Sequence, residues 1–159
     1  MKKCIDDENV ICNLQLQKIL YYIQECFLKE KHRKAFPEPI EAWQYGPVVP
    51  KVYDKYCIYG GKTIVWIPEA PDVGLKDEKD KALIDGIVEE KRNIDPWDTV
   101  QLTKKELGAW AEVYDNGNGA YKEIPIETIK KYLQKQQKPT VNKSNVRFVL
   151  QKLKELFSV

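Results

Sequence analysis

The stretch FPEPIEAWQYGPVVPKVYDKYCIYGG, residues 36–61, decides how this chain is read. It sets Pro37, Pro39, Pro47 and Pro50 around Trp43, Tyr45 and Tyr53, with no catalytic constellation among them. Each proline restricts its own φ and pushes the residue before it out of the helical well, so Glu38, Gly46 and Val49 are held extended. Trp43 and Tyr45 therefore stand on a stiff run that builds a surface. Gly46 before Pro47 marks a turn, and Pro50 suits the first turn of a helix over 51–59, ended by Gly60 and Gly61. Aromatics of this kind fill cores as readily as they make contacts. Ile40 and Ala42 beside Trp43 favour burial of its ring against the preceding helix, with the segment partly structural and partly exposed.

Upstream, Leu16, Ile19, Leu20, Ile23 and Phe27 recur at three- and four-residue steps and predict a helix over 14–31, capped by Asn13. Downstream, residues 63–67 are β-branched and aromatic between glycines and Pro68, which predicts a short strand. Residues 68–74 form a loop, and 76–92 a helix facing inwards through Leu83, Ile84, Ile87 and Val88. Pro96 and Trp97 interrupt, and Thr103 caps a helix through Leu107, Trp110 and Val113. Asn116 to Gly119 is a turn, 124–126 a second strand, and 127–134 a helix. Residues 135–142 read as a polar linker to a last amphipathic helix over 144–157, striped by Val146, Val149, Leu150, Leu153 and Leu156. The expected class is α+β, mainly α: a compact helical domain with a small two-stranded β element. It divides into a domain over 1–133 and a basic linker with C-terminal helix over 134–159.

The 159 residues suffice for one domain with a real core and no staple. Cys4, Cys12, Cys26 and Cys57 never form a C-x-x-C pair, so no metal site or cofactor is expected, and reduced thiols fit a cytoplasmic protein. Acidic residues follow Lys2 and Lys3 where a signal sequence needs an apolar run, and no stretch is apolar enough to span a membrane. His32 is the one histidine, set in a basic run at a helix end without a nucleophile or orienting partner. Nucleophile-elbow, zinc-protease and phosphate-loop patterns are absent, so the chain is expected to have no catalytic residues and not to be an enzyme.

The 26 basic residues nearly balance 24 acids, but the balance is uneven. Residues 129–159 carry Lys130, Lys131, Lys135, Lys138, Lys143, Arg147, Lys152 and Lys154 against Glu155 alone. This basic end suits an acidic protein, with Lys143, Arg147 and Lys154 as candidate contacts. Nucleic acid is the weaker alternative, because only Phe148 and Phe157 there could stack on bases. The apolar stripe must dock somewhere: back on its own domain across the Pro139 linker, on a second copy, or on the target.

Two motifs in order, NLQLQKILYYIQ over 13–24 and the stretch from Phe36 through Trp43-Gln44-Tyr45-Gly46-Pro47-Val48-Val49-Pro50 to Tyr53, with Tyr59-Gly60 behind them, resemble the Panacea domain. That family is also described as SocA-like or phage-associated GepA-like. The likeness runs through Leu83, Trp110 and Tyr132, over about 11–133. It departs at Leu102-Thr103-Lys104-Lys105, where the family usually carries a Thr-His pair. The resemblance implies an antitoxin-type domain of prophages and mobile elements that neutralises toxins by direct binding, one branch delivering its toxin to a AAA+ protease. Trp43, Tyr45, Gly46, Pro47, Val48, Pro50 and Tyr53 are then the motif or partner-binding residues. The expected partner is a protein, a toxin or a host defence protein. The second reading is a mobile-element inhibitor of a host defence nuclease, and the third a nucleic-acid-binding regulator.

Overall fold

The computed structural model describes residues 1–67, 77–106 and 108–137. Within them seven α-helices accompany one two-stranded antiparallel sheet, the mainly helical α+β class expected. In chain order these are α1 (Lys2–Asp6), α2 (Asn13–Glu30), β1 (Glu41–Trp43), β2 (Gly46–Val48), α3 (Pro50–Tyr56), α4 (Glu78–Lys91), α5 (Pro96–Glu106), α6 (Gly108–Tyr114) and α7 (Ile126–Gln137). Single 3-10 turns follow α3 at Cys57–Tyr59 and α6 at Asp115–Gly117.

The spine is α2, which touches β2, α3, α4, α5 and α7. Its periodic apolar face, Leu16, Ile19, Ile23 and Phe27, joins Cys4, Ile11, Tyr56, Ile64 and Val88 in one core, with Leu83, Ile84 and Ile87 of α4 packed against it. The opposite face puts Tyr21 and Leu28 into a second core with Ile40, Ala42, Val49, Trp110, Ile124, Ile129 and Leu133. A helix buried on two sides leaves little of itself to water.

The sheet lies elsewhere than the strand signals place it. It is a hairpin in the proline-aromatic stretch, pairing Glu41 with Val48 and Trp43 with Gly46. Gly46 sits at φ 105°, a step that side chains resist, and this lets the chain reverse after Gln44 and Tyr45. Residues 63–67 form no strand: Thr63 makes one isolated bridge to Cys12, and Val65 and Trp66 are exposed. The predicted strand over 124–126 is also displaced. Residues 121–124 lie along the free edge of β1, with Ala42 N–H donating to Lys122 O and Ile124 N–H to Ile40 O, while Ile126 already opens α7. Pairing needs a partner edge as well as β-branched composition, and 63–67 meets only the end of the segment before α2.

Helix boundaries shift for definable reasons. Asn13 is the first residue of α2 rather than its cap; Cys12 precedes it, its N–H donating to Gln15 Oε1. Pro96 begins α5 instead of interrupting: Asp95 Oδ1 accepts from Trp97 N–H at 2.8 Å, and a proline at the first helical position loses no hydrogen bond. Thr103 therefore lies within a helix, not at its start. Helix α7 continues to Gln137, through the first part of the expected linker. The short α1 carried no sequence signal. The loop over 68–74, Leu107 and the helix over 144–157 lie outside the described residues.

Candidate protein-binding surface

The hairpin is held from beneath by polar side chains of α2. Lys18 is fully buried and its Nζ donates to Pro47 O at 3.1 Å. Gln17 Oε1 accepts from Val49 N–H at 2.9 Å, while its Nε2 donates to Asn13 Oδ1. Asn13 Nδ2 in turn donates to Tyr53 O, at the middle of α3. Further along, Gln24 Oε1 accepts from Ala35 N–H, where the proline-aromatic stretch begins. Prolines and a three-residue strand leave many backbone groups without ladder partners, and buried groups of that kind need some other bond. Four residues on α2 supply it. Burial without a carboxylate beside it lowers the Lys18 ammonium to about 7.

On the outer side, Tyr45 in the hairpin turn and Trp97 in the first turn of α5 meet edge to face, centroids 5.5 Å apart and planes at 89°. They are 45% and 58% exposed. Trp43, at the end of β1, packs against Tyr53 of α3 at 4.8 Å and Tyr121 at 5.2 Å. Behind it, Trp110 Nε1 donates to Trp43 O, and the Trp110 ring stacks on Tyr114. The turn is thus bracketed by two aromatic groups, on a hairpin bonded from beneath by α2.

The expectation for Trp43 needs correcting. Its ring is half-buried, packed among aromatic neighbours from α3 and 121 rather than sunk against α2, and its Nε1 donates to Glu41 Oε2. The space behind the hairpin is filled by Lys18, Gln17 and Val49 instead. Of the other motif residues, Gly46, Pro47 and Val48 are buried and structural, Pro50 opens α3, Tyr53 is half-buried and Tyr45 is exposed. Lys143, Arg147 and Lys154 lie outside the described residues. Trp97 and Tyr121 are members of the aromatic surface that sequence reasoning missed. The Asp-Pro-Trp run at 95–97, a cap followed by a first-turn proline, could have placed Trp97 on the outside of a helix start.

His32 is exposed at the exit of α2, with φ 54°. Among the described residues no three potential ligands gather as a metal cluster, and no helix is long and apolar enough to cross a membrane. All four cysteines are free.

The family model described as Antitoxin SocA-like, Panacea domain, matches residues 16–111. The chain belongs to this family. The SocA-like match takes in most of α2, the hairpin and α3 to α5, and ends just past Trp110. It contains Tyr45 and Trp97, whereas Tyr121 and α7 lie beyond it. A curated relative, Antitoxin SocA of Caulobacter vibrioides (strain NA1000 / CB15N), is 44% identical over 55 residues. That stretch is 35% of this chain and 29% of the relative, so the likeness spans under a third of the relative's length. No solved structure matches this SocA-like chain.

Proposed function

We propose that the chain acts as an antitoxin, neutralising a protein toxin by direct contact through the aromatic surface around the hairpin turn. The supporting observation is the exposed Tyr45–Trp97 pair, two large rings left in water, Tyr45 on the hairpin that α2 bonds from beneath and Trp97 on the Asp95-capped first turn of α5. Aromatic anchors on preorganised backbone are what binding hot spots require, because little ordering entropy remains to be lost on association. Membership of a family described as antitoxin-like supplies the kind of partner. The free thiols fit a reducing compartment, and the cytoplasm is the proposed location.

The test starts from capture of the partner with the full chain as bait in its native cell, followed by expression of the captured protein. Growth arrest by that protein alone, and rescue by the chain, are expected. Tyr45→Ser with Trp97→Ser should abolish rescue while leaving the melting temperature unchanged; full rescue by that variant would move the contact off this surface. Occlusion and delivery to a protease differ in toxin half-life. Occlusion, the simpler action for a surface of this kind, leaves the half-life unaltered, and a half-life shortened by the chain would instead make it an adaptor.

A further inference from the structure

A second surface lies where the end of α2 meets α7. Leu28 and Leu133 form the floor of an open cleft of 310 Å³, and Lys29, His32, Lys130 and Gln134 form its rim. Lys29 and Lys130 bring two cations to the rim, and no carboxylate lines the cleft among the described residues. Close by in sequence stand Lys31, Arg33, Lys34, Lys131 and Lys135, with Glu30 the acid among them. Several are internally engaged: Lys130 with Glu127, Lys131 with Glu112, and Lys31 and Arg33 with Asp80. His32 and Lys34 enter no ion pair among the described residues, and Lys29 meets only its neighbour Glu30 at 3.6 Å. His32 also holds a left-handed backbone, φ 54°, where the chain turns out of α2 at the cleft rim.

We infer that this cleft docks an acidic protein segment, one that lays an apolar side chain on Leu28 and Leu133 and sets carboxylates against Lys29, His32 and Lys130. Charge complementarity selects this occupant. The chain's own residues 138–159 carry Lys138, Lys143, Arg147, Lys152 and Lys154 against Glu155, so like charge disfavours both its own tail and that of a second copy. The same residues add to the positive field that would steer an acidic partner in. Nucleic acid would use the charge but not the aliphatic floor, and among the described lining residues no Phe, Tyr or Trp joins the His32 imidazole as a platform for a base to stack on. The inference is independent of the aromatic surface, and each can fail without the other.

The experiment titrates the full chain into a fluorescein-labelled helical peptide carrying leucine and glutamate on one face, with single-stranded oligothymidine as a parallel probe. The peptide should bind, and weaken about tenfold or more between low and physiological salt. The variant K29E/H32E/K130E should lose at least tenfold in affinity, and the neutral variant K29Q/K130Q a smaller part, both with unchanged helical circular dichroism. Tyr45→Ser with Trp97→Ser should bind the peptide as the parent does. Equal peptide affinity in the charge-reversed chain would overturn the assignment, as would tighter binding of oligothymidine. Cross-links from Lys29 or Lys130 to Lys143, Lys152 or Lys154 in the free chain would give the cleft to the chain's own tail. A dimer dissolved by the charge reversal would give it to a second copy.

Discussion

Lys18 is the residue that couples the fold to the hairpin, and it does so at an energetic cost. A buried ammonium with one carbonyl acceptor favours its neutral form, which is why it sits near 7 instead of its usual value above 10. The unfolded chain therefore binds a proton more strongly than the folded one between those limits. Stability should rise as pH climbs from about 7 to about 10, by up to roughly 4 kcal/mol from this group alone, and be insensitive to it below 7. Lys18→Met, which keeps the length and loses the charge, should flatten that rise in denaturant-unfolding midpoints taken across this range. A slope that survives the substitution would mean that another group carries it. The same residue explains a failure of reading. On sequence, Asn13 reads as a cap and Gln17, Lys18 and Gln24 lie off the apolar stripe, yet all four are under 5% exposed. Periodicity finds apolar burial; it has no signal for polar groups buried because a neighbouring backbone lacks partners.

At the scale of elements, the start of α5 controls half of the aromatic surface. Asp95 accepts from Trp97 N–H and its backbone carbonyl accepts from Thr99, so the cap fixes the turn from which Trp97 projects. Asp95→Ala should cost about 1 kcal/mol, seen as a fall of about 2–4 °C in melting temperature, whereas Asp95→Asn should retain most of it. A Trp97 that keeps its contact with Tyr45 in the alanine variant would show that the ring pair, not the cap, orders this turn. A neighbouring constraint sits after α6, where a Cβ on Gly119 would collide with the Val113 carbonyl oxygen. That close approach returns the chain to the edge of β1. Helices α2, α4 and α7 were legible within a few residues because their apolar periods are long, whereas α1 gave no signal and the start of α5 reads as an interruption. The strands were not legible, because each is three residues long and the hairpin signal was masked by prolines that read as extended surface.

Over the whole molecule, α2 belongs to both cores, so neither can be lost alone. Phe27→Ala, in the core away from the tryptophans Trp43 and Trp110, should cost about 3–5 kcal/mol and lower the fluorescence and circular-dichroism transitions together. Separate transitions would divide the molecule into two units. The aromatic surface was half legible: Trp43, Tyr45 and Tyr53 lie in one motif, while Trp97 and Tyr121 arrive from distant positions that only the fold brings close. The cleft at the end of α7 was legible as charge but not as place. One consequence follows from the way α2 grips the segments beside it. The amides of Ala35 and Val49 lie outside regular structure, yet each is bonded to a buried glutamine of α2. Their protons can reach deuterated solvent only when the side chains of Gln24 and Gln17 let go. In hydrogen exchange these two loop amides should keep the slow clock of the central helix, while their unbonded loop neighbours exchange freely.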